Sequence, residues 1–99
     1  MLEYHETNQF KKDRAKLARR GYNMDLLDAA MDDIIAEVDL DASYSKHKLH
    51  GQYEGRYEIH IGGRKSDWIT IYYYVNYEAG ERSVTFDRTG THSDLLRSK

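Results

Sequence analysis

The chain predicts an α+β fold, with two N-terminal helices packed on one face of a small antiparallel sheet. A change of hydrophobic period carries that expectation. Apolar residues recur at helical spacing between Thr7 and Val38, and from about Tyr53 onward they alternate with polar ones. The chain's 99 residues are enough for one modest core and not for two, so residues 1–99 are expected to form a single domain.

The first element is a short strand, because Leu2 and Tyr4 alternate with polar neighbours ahead of Thr7, a residue suited to capping a helix. The helix that follows carries Phe10, Leu17 and Ala18 on one side. Lys11, Lys12, Arg14, Lys16, Arg19 and Arg20 ring the rest, and Gly21 closes it. A second helix opens at Asn23 and repeats Leu27, Ala30, Met31, Ile34, Ile35 and Val38 inward, with Asp25, Asp28, Asp32 and Asp33 outward. In "GRYEIHI" the inward set is Tyr57, Ile59 and Ile61, opposite Arg56, Glu58 and His60. In "DWITIYYYV" it is Ile69, Ile71, Tyr73 and Val75, which leaves Trp68, Thr70, Tyr72 and Tyr74 on the other face. After a loop holding Asn76 and Gly80, "RSVTFDR" supplies a last strand with Val84 and Phe86 inward.

Composition narrows the function classes. At 39% hydrophobic and 32% charged the chain is an ordinary globular one, with no apolar run long enough for a bilayer and no signal pattern, so a cytoplasmic protein without a membrane partner is expected. The absence of cysteine excludes disulfides, thiolate nucleophiles and Cys-based zinc sites, and no cofactor is expected. The net charge of -2 is unevenly spread: residues 1–41 hold six Lys and Arg against ten Asp and Glu, whereas residues 42–99 hold nine against seven. Four of the five histidines also lie in the second part, which makes it the half suited to meeting an anion.

With the helices on one side of the sheet, the opposite face would carry Arg56, His60, Trp68, Tyr72 and Tyr74. That combination suits RNA phosphates and unstacked bases. It equally suits a second, minor core under the C-terminal tail, with Leu95 and Leu96 packed on the aromatic rings. His47, His60 and His92 fall in a loop, a strand and the tail, which a compact sheet can bring to one end. Imidazoles gathered in a basic pocket can give and take protons in phosphodiester chemistry. A metal site fits less well, since no pair has the tight helical spacing of zinc motifs and Arg56, Arg64 and Lys65 disfavour a cation; His47 and His50 are the pair that remains.

The strings "HKLHGQYEGRYEIHI", "DWITIYYY" and "FDRTGTHSDLL", in that order, resemble the YafQ branch of the RelE/ParE toxin superfamily. The resemblance implies a RelE-like fold and a bacterial toxin of a type II toxin–antitoxin system: a ribosome-dependent mRNA endoribonuclease that needs no metal. It implies His47, His60, Asp67 and His92 as the acid–base set for attack by the ribose 2'-OH. Arg88 would lie near the scissile phosphate, and Arg56, Arg64, Lys65, Trp68 and Leu96 would complete the RNA contacts. The cations of the first helix, Lys11, Lys12, Arg14, Lys16, Arg19 and Arg20, are the candidates for ribosomal RNA. The expected partners are the ribosome, mRNA and a cognate antitoxin of ribbon-helix-helix type. The alternative is a ParE-like scaffold that acts only through protein–protein contact; ParE-type relatives generally lack this histidine set.

Overall fold

The structure is a computed structural model that describes residues 2–38, 40, 44–63, 65–75, 80 and 82–96. Strand β1 (Glu3–Glu6) leads into helix α1 (Asn8–Arg19) and helix α2 (Met24–Ile35). Strands β2 (His47–Lys48), β3 (Tyr57–His60), β4 (Trp68–Val75) and β5 (Ser83–Thr91) follow, and a short helix α3 (His92–Leu95) closes the described chain. The expected α+β class is observed. Its five-stranded sheet is mixed rather than wholly antiparallel: in the order β1-β5-β4-β3-β2, β1 runs parallel to β5.

Local chemistry sets the helix ends. The Thr7 hydroxyl accepts from the Phe10 amide at 2.9 Å, and the Asn23 side chain accepts from the Asp25 amide at 2.9 Å, so each satisfies an orphan donor of a first turn. Helix α2 stops at Ile35, short of the expected Val38. Glu37 takes a left-handed conformation (φ 60°), and the Glu37 and Val38 amides fold back on the Ile34 and Asp33 carbonyls. This closes the helix in a Schellman arrangement and leaves Val38 exposed.

The main core lies between the two long helices and one face of the sheet. Phe10 and Leu17 of α1 and Leu27, Ala30, Met31, Ile34 and Ile35 of α2 pack with Ile59, Ile61, Trp68, Tyr72, Val84 and Phe86. The phase of β3 is as expected, but that of β4 is inverted. Trp68, Thr70 and Tyr72 are buried, with Trp68 and Tyr72 in the core beneath the helices, while Ile69 and Ile71 form a second cluster with Leu95, flanked by Leu49, Tyr53 and Leu96. Register agrees with this assignment, since Ile59 stands opposite Thr70 and His60 opposite Ile69.

Trp68 is therefore a core residue and not an exposed stacking plane. It is 5% exposed, its ring meets Tyr22 edge-on at 5.1 Å, and its indole N–H donates to the Thr89 hydroxyl at 2.9 Å. Thr89 also accepts from the Thr70 hydroxyl and donates to the Ile69 carbonyl, so the polar group that the indole needs is itself satisfied. Trp68→Ala is expected to lower stability by about 3–5 kcal/mol, the usual range for deleting a buried large aromatic. Denaturant unfolding measures it; a loss under about 1 kcal/mol would contradict the packing described. Tyr72 belongs to the same layer, where burial first and Tyr74 second push its phenol above its ordinary range and keep it neutral.

Candidate active site

On the sheet face opposite the long helices, the alternation of β3 delivers Glu58 and His60 to the same side. β2 pairs with β3 so that His47 lies opposite Glu58. The tail arrives from the far edge. Thr91 caps α3 by accepting from the Asp94 amide, and the His92 amide donates to the Asp67 carbonyl at 3.0 Å, which joins the tail to the β3–β4 loop. Gly90 lies against Leu95, whose side chain would stand 3.4 Å from a Cβ at that position. Leu95 in turn anchors α3 on Ile69 and Ile71.

Glu58 is the hub, 4% exposed, with one oxygen shared by two imidazoles. Glu58 Oε2 lies 3.2 Å from His60 Nε2 and 3.3 Å from His92 Nε2. His60 Nδ1 is 2.8 Å from the Ser66 carbonyl oxygen; because a carbonyl can only accept, Nδ1 is the donor and Nε2 is turned to the site. His92 Nδ1 stands 3.3 Å from the exposed carboxylate of Asp67. The His60 and His92 ring centroids are 5.1 Å apart, and His47 meets His60 edge-on at 5.9 Å. The Ser45 hydroxyl lies 3.0 Å from His47 Nε2.

The fold thus gathers His47, His60, Asp67 and His92 around one carboxylate. Glu58 was placed on the right face by the alternation of the strand, yet an acidic residue between two strand neighbours carries no mark of a site. Its position two residues before His60 is the signal available. Asp13 is likewise absent from the sequence-based set; it lies buried on the inner side of α1 and receives Arg88 Nε at 2.8 Å and Arg88 Nη2 at 3.2 Å.

The other expected contacts are dispersed. Arg56 pairs with Asp87 at 2.8 Å and lies over the Tyr73 ring at 4.6 Å. Lys65 is exposed in the β3–β4 loop, Leu96 packs beside the Ile69–Ile71–Leu95 cluster, and Arg64 lies outside the described residues. On α1, Lys11, Lys12, Lys16 and Arg19 are exposed, whereas Arg14 pairs with Asp28 at 2.7 Å and Arg20 reaches Asp94 at 3.8 Å. His50 is remote from metal chemistry with His47, since it turns to Glu54 at 3.6 Å. A different set can hold a cation: ligand atoms of His47, Glu58 and His60 all lie within 4.8 Å of one another. No helix among the described residues is long and apolar enough to cross a membrane.

The fold and this cluster define a small α+β protein with imidazoles and carboxylates gathered on the outer face of its sheet. The model of the family "Bacterial toxin of type II toxin-antitoxin system, YafQ" matches residues 2–97, and the chain belongs to that family. The mRNA interferase toxin YafQ of Escherichia coli K12 is 32% identical over 96 residues, covering 96% of this chain and 94% of the relative. The crystal structure of the E. coli DinJ-YafQ toxin-antitoxin complex superimposes with a TM-score of 0.81 at 29% identity, over 96% of this chain and 97% of that one. A metal-bound toxin from Helicobacter pylori gives a TM-score of 0.81 at 27% identity, over 96% and 99% of the two chains.

Proposed function

We propose that the chain is a ribosome-dependent mRNA endoribonuclease acting in the bacterial cytoplasm and silenced by a cognate antitoxin of ribbon-helix-helix type. The observation that carries the reading is the Glu58 carboxylate bridging His60 and His92 on the outer sheet face. One imidazole of the set removes the ribose 2'-OH proton. The oxygen attacks the adjacent phosphorus, and a second imidazole returns a proton to the departing 5'-oxygen. Glu58 and Asp67 hold the rings in register for these transfers, and Arg88 offers its charge to the phosphate. The mRNA interferase name of the E. coli relative supports the substrate class, and the DinJ-YafQ complex supports an antitoxin partner.

Charge supports the dependence on the ribosome. Affinity for naked RNA grows with the number of phosphates a protein neutralises, and a chain of net charge -2 has few cations to spare. The exposed Lys11, Lys12, Lys16 and Arg19 form a surface on which ribosomal RNA can dock. Purified protein is expected to cleave a transcript on translating ribosomes at least about 100-fold faster than the same transcript free in solution, the scale that positioning alone can supply. Comparable rates in the two reactions would replace this reading by a free endoribonuclease.

A second reading has its own observation: the convergence of His47, Glu58 and His60, together with a metal-bound relative. Imidazole and carboxylate donors suit zinc or copper, and a bound ion would supply Lewis acidity toward a phosphate oxygen. Chelation separates the two readings. Undiminished cleavage by toxin that was stripped with EDTA and dialysed free of it before ribosomes are added supports acid–base chemistry by side chains, and a loss reversed by added zinc or copper supports the second reading.

A further inference from the structure

Between α1 and the tail, a cleft of about 490 Å³ is lined by Lys16, Arg20, Tyr53, Arg88 and Asp94, with Asp13 at its wall. Asp13 is unusual for a helix position, since a carboxylate 8% exposed stands between Phe10 and Leu17 on the buried side of α1. Its burial is explained by four donors. Oδ1 accepts from Gln9 Nε2 at 3.0 Å and from Arg88 Nη2 at 3.2 Å, while Oδ2 accepts from Arg88 Nε at 2.8 Å and from the Thr89 amide at 3.1 Å.

The last of these contacts has a topological cause. β1 ends at Glu6, the Thr7 amide makes a backbone bond to the Phe86 carbonyl, and the Thr7 hydroxyl donates to the Asp87 carbonyl. Beyond that point β5 has no strand on that side among the described residues, and its Thr89 amide would be an unpaired edge donor. Asp13 fills the place of the missing strand. The same carboxylate grips the guanidinium side-on through Nε and Nη2 and makes no bond to Nη1, while Tyr53, which lines the same cleft, is a further hydrogen-bonding neighbour of that guanidinium.

We propose that Asp13 is a positioning residue that fixes Arg88 so that its Nη1 edge meets an RNA phosphate in the cleft. The inference rests on the nuclease reading above. Side-on pairing to a buried, fully bonded carboxylate removes the rotamer freedom of a long side chain, so that little entropy remains to be lost when the phosphate arrives. Lys16, exposed at the cleft rim, adds a second cation. The pairing with Asp13 also raises the Arg88 guanidinium above its already high ordinary value, so its charge is permanent.

Steady-state cleavage on translating ribosomes, compared for wild type, Asp13→Asn, Arg88→Ala and the double variant, tests the proposal. Asp13→Asn is expected to lower kcat roughly 10- to 100-fold with KM changed less than about threefold, as for a misplaced transition-state group. The double variant is expected to be no slower than Arg88→Ala, because Asp13 acts through Arg88. Additive losses, unchanged kcat in Asp13→Asn, or faster cleavage from an unmasked Arg88 would each overturn it. A second measurement does not depend on activity: the Arg88 Nε–H proton resonance of the isolated protein is expected to be slow to exchange in wild type and lost in Asp13→Asn. An unprotected signal in wild type overturns the positioning role. If wild type fails to cleave while that signal is protected, the nuclease reading falls and the Asp13 grip on Arg88 stands.

Discussion

Replacing His92 by alanine is expected to lower mRNA cleavage by about 100- to 10,000-fold, the range that one general acid or base contributes, and to relieve growth arrest when the toxin is expressed. The fold should persist, because the side chain is about a third exposed and α3 is held by Leu95 rather than by the imidazole. His60→Ala is expected to lose as much activity with a measurable drop in melting temperature, since His60 is 8% exposed and its Nδ1 ties the β3–β4 loop through Ser66. Cleavage assays on translating ribosomes, paired with thermal melts, separate the two effects. Wild-type toxicity of both variants at matched expression would remove the imidazoles from the reaction.

Glu58→Gln is expected to slow cleavage by roughly 100-fold, the scale seen when one preorganised electrostatic partner is removed. Glutamine keeps the size of the side chain but not its charge, so a single acceptor oxygen and an NH₂ group must face two imidazole nitrogens that both approach Oε2 within 3.3 Å. Both nitrogens can keep a bond only to the amide oxygen, and each bond then loses the strength that a charged acceptor gives it. Glu58→Ala adds the loss of buried contacts, and its melting temperature should fall where that of Glu58→Gln does not. Full activity in Glu58→Gln would show that the carboxylate is only a structural tie. Repeating the measurement with toxin stripped of metal before ribosomes are added distinguishes a lost hydrogen-bond acceptor from a lost metal ligand.

The helices and β3 were legible because each carries its own contrast. α2 sets Leu27, Met31 and Ile34 against Asp25, Asp28 and Asp32, and β3 sets Ile59 against Glu58 and His60. β4 has no such contrast. It is covered on one side by α1 and α2 and on the other by the tail, so "WITIYYYV" is apolar throughout and its phase cannot be read by alternation. Trp68 was assigned to the wrong face for that reason. The parallel pairing of β1 is hidden because four residues, three of them exposed and Glu6 half-buried, say nothing about the direction of their neighbour. The histidines were found by their chemistry. Glu58 and Asp13 were not, because an acid on a strand or helix ordinarily reads as solvated, and only the fold shows each one buried against its donors.

The pairing of β1 with β5 bears on how the toxin is born. Thr7 and Asp87, which meet where the two strands separate, are 80 residues apart in the chain. Closing so large a loop costs entropy before any contact rewards it, and sheets built on such distant pairings fold slowly. During synthesis β1 and the long helices leave the ribosome well before their partner strand exists. The edge that β1 completes, the Asp13 contact to Thr89 and the delivery of His92 to Glu58 all wait for the last strand to emerge. On the proposed nuclease reading, a nascent chain therefore has no assembled site until β5 and the tail have left the ribosome, and the interval before β5 docks is time in which an antitoxin already present can reach it first.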